Sequence, residues 1–451
     1  MKDKMPKGAK IILEKLNSYN HEAYLVGGCV RDFLMGEIPK DWDITTSASP
    51  KEVKELFSEY KLFEFGIKHG TISIIIEGNS YEVTTYREDG EYLDSRRPET
   101  INFTKSLSQD LKRRDFTINA MAMNSKGDVV DLYNGEKDLN SKFIRCVGNP
   151  KERIGEDALR ILRALRFAAR MGFQIEQNTS DAINSEKNLL LKISLERIND
   201  EFDKILHGEY ATNILREYRD VIAVFIPEIK ELFDFEQCNP YHIYDVYEHT
   251  LKAVEEIENC DNNRLMAFLH DIAKPRCFII KDGWGHFYHH ESKGAELAKI
   301  ILNRLRYDNK TIDDIAFVIK THGTVFNPDI KYARHKLNQM GEKRLRMLMA
   351  LEKADVKAQN PQIIMERLDN IKKFESCVDT VIEEKHCFSV KDLNIDGNDL
   401  IELGYTRGPF VGKALNDLLI EVMNEDIIND KKILIKRAIE KLNILKKREG
   451  E

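Results

Sequence analysis

The chain has 451 residues, 42% of them hydrophobic and 32% charged, with a formal net charge of −7. Those values describe a soluble globular protein of two to four domains with ample core, not a disordered or fibrous chain. No apolar run approaches the roughly 20 residues that span a bilayer, the opening MKDKMPKGAKIILEKL lacks a signal-peptide apolar block, and seven scattered cysteines without a CxxC pair suit a reducing cytoplasm.

In chain order, apolar spacing predicts a helix over 7–19, a strand over 23–26 and a short helix over 30–35 after Gly27-Gly28. A second strand is expected over 42–45, then a helix over 50–57 with Ser49 as cap and Pro50 in its first turn. Residues 71–76 and 81–86 are β-rich runs separated by Glu-Gly-Asn-Ser, which reads as a hairpin. The polar segment 87–100 reads as a mobile loop, and 116–122 as a buried helix after a charged turn. From about 151 the pattern is helical, with helices over 157–171, 189–206 and 214–225 and stop signals at Gly172 and Gly208. Eight of the twelve histidines lie between 242 and 335. Residues 386–451 form a Gly/Asp turn region followed by lysine-rich amphipathic helices. The expectation is an α+β protein, with a small mixed β-sheet head followed by mostly helical domains.

Three constellations carry chemistry. In LVGGCVRDFLMGEIPKDWDITT (25–46), Asp41 and Asp43 alternate around Trp42, which on a strand puts both carboxylates on one face. Gly28 allows a phosphate close to the backbone, and Arg31 offers a planar, permanently charged donor fork. Two such carboxylates suit divalent metal, and the chemistry expected is metal-assisted nucleotidyl transfer. Glu82 is either a third carboxylate or a solvent-facing strand residue. In LKRRDFTINAMAMN (111–124), Arg114 stands at an expected helix entrance, where anions bind. In EDALRILRALRFAARMGF (156–173), Asp157 and Arg160 are i,i+3 neighbours, and Arg163 and Arg166 continue the stripe. Although the whole chain is acidic, residues 151–170 carry six Lys or Arg against three acids, a local charge compatible with phosphate. A carboxylate accepting from an amino group, beside a guanidinium donating to a ring nitrogen, accepts cytosine and adenine and rejects uracil and guanine.

These three elements, in this order, resemble the bacterial-type (class II) CCA tRNA nucleotidyltransferases of the polymerase-β-like superfamily. The resemblance runs continuously over about 20–210, with DVVDLYNGEKDLNSKFIR (128–145) similar to the hinge motif and SLERINDEFDKI (194–205) to the last neck motif. It implies template-independent addition of CMP and AMP from CTP and ATP to the tRNA 3′ end, with release of pyrophosphate. It implies Mg²⁺ at Asp41 and Asp43, and nucleotide contacts at Gly28, Arg31, Arg114, Asp157, Arg160, Arg163 and Arg166. It further implies a catalytic head over 1–150, a neck over 151–215, a body over 216–380 and a tRNA-binding tail over 381–451, in the cytoplasm and with no membrane partner. Bacterial poly(A) polymerases share the first two motifs but tend to a basic tail. Members restricted to CC addition lack part of the flexible loop, which this chain keeps from Asp89-Gly90 through Arg96-Arg97-Pro98-Glu99. An A-adding specialist stays open.

His249, His270-Asp271 and Asp355 fall on separate expected helices, which is a metal-ligand arrangement. They resemble the core ligands of the HD phosphohydrolase superfamily, and His290 and His322 resemble the extra ligands of its dinuclear members, with His286 and His289 as alternatives to His290. The resemblance implies a second divalent metal. Two readings stay open: a phosphohydrolase, for which the head would serve as an RNA-binding module, or a helical scaffold holding tRNA.

Overall fold

Residues 71–76, mostly β-branched, alternate half-buried and buried along one strand of the sheet that organises the first part of the chain. The structure is a computed structural model and describes residues 5–64, 66–89, 101–362 and 364–449. The elements run α1 (Lys7–Ser18), β1 (Ala23–Val26), α2 (Gly28–Leu34), β2 (Asp43–Thr46), α3 (Pro50–Leu56), β3 (Lys61–Phe63), β4 (Thr71–Ile76) and β5 (Asn79–Thr85). Then follow β6 (Arg87–Asp89), β7 (Ile101–Phe103), α4 (Leu107–Lys112), β8 (Met121–Met123) and β9 (Val129–Asp131). Seven strands pair in the order β3-β4-β5-β2-β1-β8-β9. Only β2 and β5 run parallel in it, and this sets Asp43 directly beside Glu82.

Local chemistry fixes the edges of these elements. Ser49 and Glu52 form a reciprocal capping box at α3, with Pro50 in its first turn. The β4–β5 hairpin turns on Glu77 (φ 51°) and Gly78 (φ 81°), a two-residue turn matched to strand twist. The helix expected over 116–122 is instead a 3₁₀ turn, Thr117–Asn119, followed by β8. Met121, Ala122 and Met123 are buried on both faces, so no period of two marks them as a strand. Residues 90–100, which hold most of the expected loop, lie outside the described residues.

The helical run continues through α5 (Gly135–Asn140), β10 (Phe143–Ile144), α6 (Pro150–Glu156), α7 (Leu159–Met171), β11 (Gln174–Ile175), α8 (Gln177–Glu186), α9 (Leu195–Leu206), α10 (Ala211–Glu217) and α11 (Arg219–Ile222). The helix expected over 189–206 is a 3₁₀ turn (Lys187–Lys192) and then α9, and that over 214–225 is split between α10 and α11. Gly172 closes α7 in the left-handed conformation (φ 67°). Gly208 lies so near α7 that a Cβ there would fall 2.6 Å from the Ala169 carbonyl oxygen.

A second unit contains α12 (Val246–Glu256), α13 (Asn263–Leu269), a hairpin of β12 (Phe278–Lys281) and β13 (Trp284–Phe287), α14 (His290–Arg304), α15 (Asn309–Thr321), α16 (Ile330–Lys357), α17 (Met365–Glu383), α18 (Gly397–Glu402), α19 (Pro409–Met423) and α20 (Lys431–Glu449). α16 breaks at Gly341 (φ 73°). The two compact units are 1–230 with 304–306, and 231–303 with 307–451. The protein is therefore α+β, with its mixed sheet in the first unit. Among the described residues no helix is long and apolar enough to cross a membrane.

Gly208→Ala forces a methyl group onto the α7 backbone. It is expected to lower stability by about 1–3 kcal/mol, read as an earlier urea midpoint; an unchanged midpoint would contradict the close approach.

Candidate functional site

The first site is built where β1 turns into α2. Gly27 takes φ 79°, and a Cβ on it would sit 3.0 Å from Arg114 Nη1. A side chain at Gly27 would press on Arg114, whereas one at Gly28 would meet only ordinary protein contacts. Trp42 is buried edge-on against Phe33, with ring centroids 6.5 Å apart. That anchors the stretch between the two acids: Asp41 is exposed just before β2 and Asp43 is half-buried at its start. Burial and then Glu82 push the Asp43 carboxyl up, Arg114 pulls it down, and Asp41 pushes it up further. Asp43 thus feels two further carboxylates and one guanidinium at its strand end, though the three carboxylates do not converge on one point. An all-oxygen donor set with excess negative charge suits a hard divalent ion such as Mg²⁺.

Arg114 does not stand at a helix entrance. α4 ends at Lys112, and Arg113 to Asp115 form the turn after it. The fully buried Asp110 organises that turn, accepting from Arg113 Nε (3.0 Å) and Nη2 (2.8 Å), from Thr45 Oγ1 (3.0 Å) and from Arg114 Nη2 (3.4 Å). Burial pushes its carboxyl up, but Arg114 and Arg113 outweigh that and hold it below its usual range. Arg114 Nε stays buried without a hydrogen-bond partner, so a donor is left over beside Gly27.

One chain of hydrogen bonds joins all three motifs. Arg31, almost fully buried, donates to Asp32 Oδ1 (2.8 and 2.6 Å) and through Nη1 to Asn119 Oδ1 (2.7 Å). Asn119 Nδ2 donates to Asp115 Oδ1 (3.1 Å), and Asp115 Oδ2 accepts Arg163 Nε (2.9 Å) and Nη2 (2.5 Å). Phe116 packs edge-on against Phe167 of α7 at 5.8 Å. The Arg31, Arg163 and Arg166 guanidinium carbons lie 5.1, 5.7 and 4.5 Å from the Phe167 ring centroid.

The expected Asp157–Arg160 pair is not an ion pair. Asp157 is extended (φ −138°, ψ 101°) between α6 and α7. Its Oδ1 accepts the Leu159 N–H (3.1 Å) and its Oδ2 accepts Arg197 Nη2 (3.2 Å). Arg160 donates instead to Glu156 Oε2 (2.7 Å) and to the carbonyls of Arg153 (2.7 Å) and Arg113 (2.8 Å). Glu156, the last residue of α6, reaches Arg160 of α7 across the break, and Asp157 within the break turns its carboxylate to the first N–H of α7. Arg166 pairs with the buried Glu201 at 3.0 Å.

In the second unit, two ligand-type groups share one carboxylate: His249, His270, Asp271 and Asp355, and Asp271, His290 and His322. Asp271 Oδ2 lies 3.3 and 3.1 Å from the Nε2 atoms of His249 and His270; its Oδ1 lies 3.5 and 3.7 Å from those of His290 and His322. All four rings aim Nδ1 at a backbone carbonyl: Ala358 (3.2 Å), Ala267 (2.7 Å), Phe287 (2.6 Å) and Ile319. With Nδ1 engaged by a carbonyl, each ring presents Nε2 to the cluster; that of His249 lies 2.9 Å from Asp355 Oδ1, and those of His290 and His322 lie 3.2 Å apart. His270 Nε2 and Asp271 Oδ2 are buried without hydrogen-bond partners, as atoms reserved for a cation would be. His290 joins the cluster, and His286 and His289 do not. His270 follows the end of α13 instead of lying inside a helix.

A family model for the poly A polymerase head domain matches residues 23–145. Models for an RNA- and SrmB-binding site of polymerase A and for tRNA nucleotidyltransferase domain 2 match 172–233 and 280–438. The CCA-adding enzyme of Ligilactobacillus salivarius is 34% identical, over 96% of both chains. The chain belongs to the CCA-adding enzyme family. The CCA-adding enzyme of Bacillus cereus (strain 03BB102) is 33% identical, over 97% of this chain and 99% of its own. The crystal structure of the Bacillus stearothermophilus CCA-adding enzyme in complex with CTP superposes with a TM-score of 0.71 at 27% identity, covering 98% of this chain and all of that one. The Thermotoga maritima CCA-adding enzyme complexed with tRNA shares the fold, with a TM-score of 0.62 at 21% identity over 97% of each chain. Membership makes this chain a nucleotidyltransferase.

Asp110, Asn119, Glu156 and Arg197 escaped the sequence reading, as did Lys274, which lies 2.7 Å from Asp271. The available signals were i,i+3 and i,i+4 spacings: Asp110 to Arg113 and Arg114, Glu156 to Arg160, Asp271 to Lys274. Arg197 is 40 residues from Asp157, and no local spacing announces that contact.

Burial pushes the Asp115 carboxyl up, but Arg163 and Asn119 outweigh it and hold it at about 2. A folded value below the unfolded ~3.9 stabilises the protein fully above about pH 4, and the contribution is lost as pH falls toward 2, about 2–3 kcal/mol in all. The urea stability gap between wild type and Asp115→Asn is expected to stay level from pH 5 to 8 and to shrink below pH 4. A gap independent of pH would contradict the ion pair.

Proposed function

We propose that this chain adds CMP and then AMP, from CTP and ATP, to the 3′ end of tRNA without a nucleic-acid template, in the cytoplasm. The observation that carries it is the hydrogen-bonded chain Arg31–Asn119–Asp115–Arg163, which ties the glycine turn to the helix bearing Arg160 within one compact unit. The RNA 3′-hydroxyl attacks the α-phosphorus; the bond from that phosphorus to the bridging oxygen breaks and pyrophosphate leaves. Asp41 and Asp43 would hold Mg²⁺, which supplies charge neutralisation of the triphosphate and a more acidic attacking hydroxyl. Arg114, with its spare Nε–H, anchors triphosphate or ribose beside Gly27 and Gly28. Asp157 would accept the amino group shared by cytosine and adenine, and Arg160 would donate to the adjacent ring nitrogen, the base displacing contacts these groups now make with Arg197, Glu156 and the Arg153 and Arg113 carbonyls. Uracil and guanine would leave both groups unpaired. Arg31, Arg163 and Arg166 act on the nucleotide from behind, because Asp32, Asn119, Asp115 and Glu201 already hold their guanidinium groups.

Incubation of tRNA ending at the discriminator base with CTP alone, then with CTP plus ATP, tests this. Two and then three added nucleotides are expected, and Asp41→Ala and Asp43→Ala are each expected to lose at least a hundredfold in rate. AMP addition confined to tRNA ending in CC would replace the reading with an A-adding specialist; normal incorporation by either variant would refute the carboxylate mechanism.

We infer a second activity from the Nε2 atoms around Asp271: a two-metal phosphohydrolase centre with Asp271 as the bridging ligand. His249, His270, Asp271 and Asp355 would hold one ion, and Asp271, His290 and His322 the other. Nitrogen-rich ligands suit a transition metal rather than Mg²⁺. Elemental analysis after Mn²⁺ loading and gel filtration is expected to give bound metal that Asp271→Ala loses, with tRNA extension retained. Equal metal in both proteins would contradict the centre.

A further inference from the structure

Glu156 is shared by two arginines. Its Oε2 accepts Arg160 Nη1 at 2.7 Å, and its Oε1 accepts Arg153 Nη2. Arg153 also donates through Nη1 to the Lys112 carbonyl (3.2 Å), and Arg160 through Nη2 to the next carbonyl along, that of Arg113 (2.8 Å). Because Lys112 and Arg113 are neighbours in the chain, these contacts close into a ring that joins the end of α4 to the elbow between α6 and α7.

Two helix ends supply the ring. α4 stops at Lys112, and its last carbonyls have no partner within the helix. Asn149 caps α6 and Pro150 opens it, so that Arg153 and Glu156, three residues apart, share one face. α6 then stops at Glu156, and the Arg153 carbonyl is left to accept Arg160 Nη1 (2.7 Å) as well as the Asp157 N–H (3.4 Å). The Arg153, Glu156 and Arg160 side chains are only 14%, 22% and 8% exposed. Charges so far withdrawn from water depend on their partners.

Base selection makes this shared carboxylate matter. When Arg160 turns to the ring nitrogen of cytosine or adenine, it leaves Glu156. With Arg160 as its only counter-ion, Glu156 would then be a largely buried carboxylate without a cation. Arg153 stays on it. We infer that Arg153 is a positioning residue for nucleotide selection: it holds Glu156 while Arg160 moves to the base, and so lowers the cost of that exchange. This rests on the base-selection reading of Asp157 and Arg160. Arg153 touches no substrate in this role. Uracil and guanine offer Arg160 no ring-nitrogen acceptor and draw no exchange, so the help from Arg153 goes to cytosine and adenine alone.

The full chain with Mg²⁺ is assayed for CTP and UTP on tRNA ending at the discriminator base, and for ATP on tRNA ending in CC. Arg153→Met, which keeps the stem and removes the charge, is expected to raise KM for CTP and for ATP by about 10- to 100-fold with kcat nearly unchanged. Its kcat/KM for UTP is expected to stay level, so the CTP-over-UTP ratio falls by the same factor, and Arg153→Lys is expected to restore most of it. Equal losses for CTP and UTP, or a loss in kcat alone, overturn the inference in favour of a general structural role. In a Glu156→Gln background the side chain at 156 carries no charge to hold, so Arg153→Met is expected to change the CTP KM little; a rise as large as in the wild-type background overturns Glu156 as the route. Should Arg153→Met fail to fold, Arg153→Gln, which can keep the Lys112 contact, is read in its place. Failure of the base-selection reading shows separately, as a wild-type chain that uses UTP as readily as CTP.

Discussion

A carboxylate buried away from water needs a cation, and Asp115 takes its cation from another motif. Arg163 reaches it from α7 through two hydrogen bonds, while Asn119 holds its other oxygen and passes the constraint to Arg31. Neither end can move alone without leaving an unpaired charge inside the protein, a cost of about 3–5 kcal/mol. The glycine turn, the Arg113-Arg114-Asp115 turn and α7 are therefore held as one piece. Phe167 completes the join, with its edge-on neighbour Phe116 and three guanidinium groups around one ring. Catalysis by positioning needs such rigidity, since a displacement of about 1 Å can cost two orders of magnitude in rate.

The same logic recurs in the second unit with imidazole in place of guanidinium. Four backbone carbonyls engage Nδ1 and so turn four Nε2 atoms toward Asp271. Three of these carbonyls lie at helix ends or just past them, where backbone acceptors are left over: Ala267 in the last turn of α13, Ile319 in the last turn of α15, Ala358 just beyond α16; the fourth, Phe287, ends strand β13. Helix termination and ligand orientation are one structural event here, which is why His270 and His322 fall at helix ends rather than inside helices.

Much of this was legible in the sequence, for identifiable reasons. Strand β1, the Ser49 cap and the Gly172 stop depend on neighbours within a few residues, so local spacing reveals them. The grouping of His249, His270, Asp271 and Asp355 was legible because a His-Asp pair in an apolar segment needs buried polar partners. β8 was not, because a strand buried on both faces shows no alternation. The helix expected from Asp157 starts instead at Leu159, because the chain is extended at Asp157, and Arg197, far along the chain, holds the Asp157 carboxylate there. The placement of the β12–β13 hairpin was not legible for a similar reason: the Gln237 backbone, distant in the chain, packs against position 285 only because that residue is glycine.

The central claim is that the Asp115–Arg163 pair transmits position from the catalytic turn to base selection. A double-mutant cycle of Asp115→Asn and Arg163→Gln, read as the ratio of kcat/KM for CTP over UTP, tests it most directly. The account predicts that each single variant lowers the ratio and that the double variant is little worse than either, a coupling of about 0.5–3 kcal/mol. Additive losses, or a ratio that neither variant changes, would contradict it.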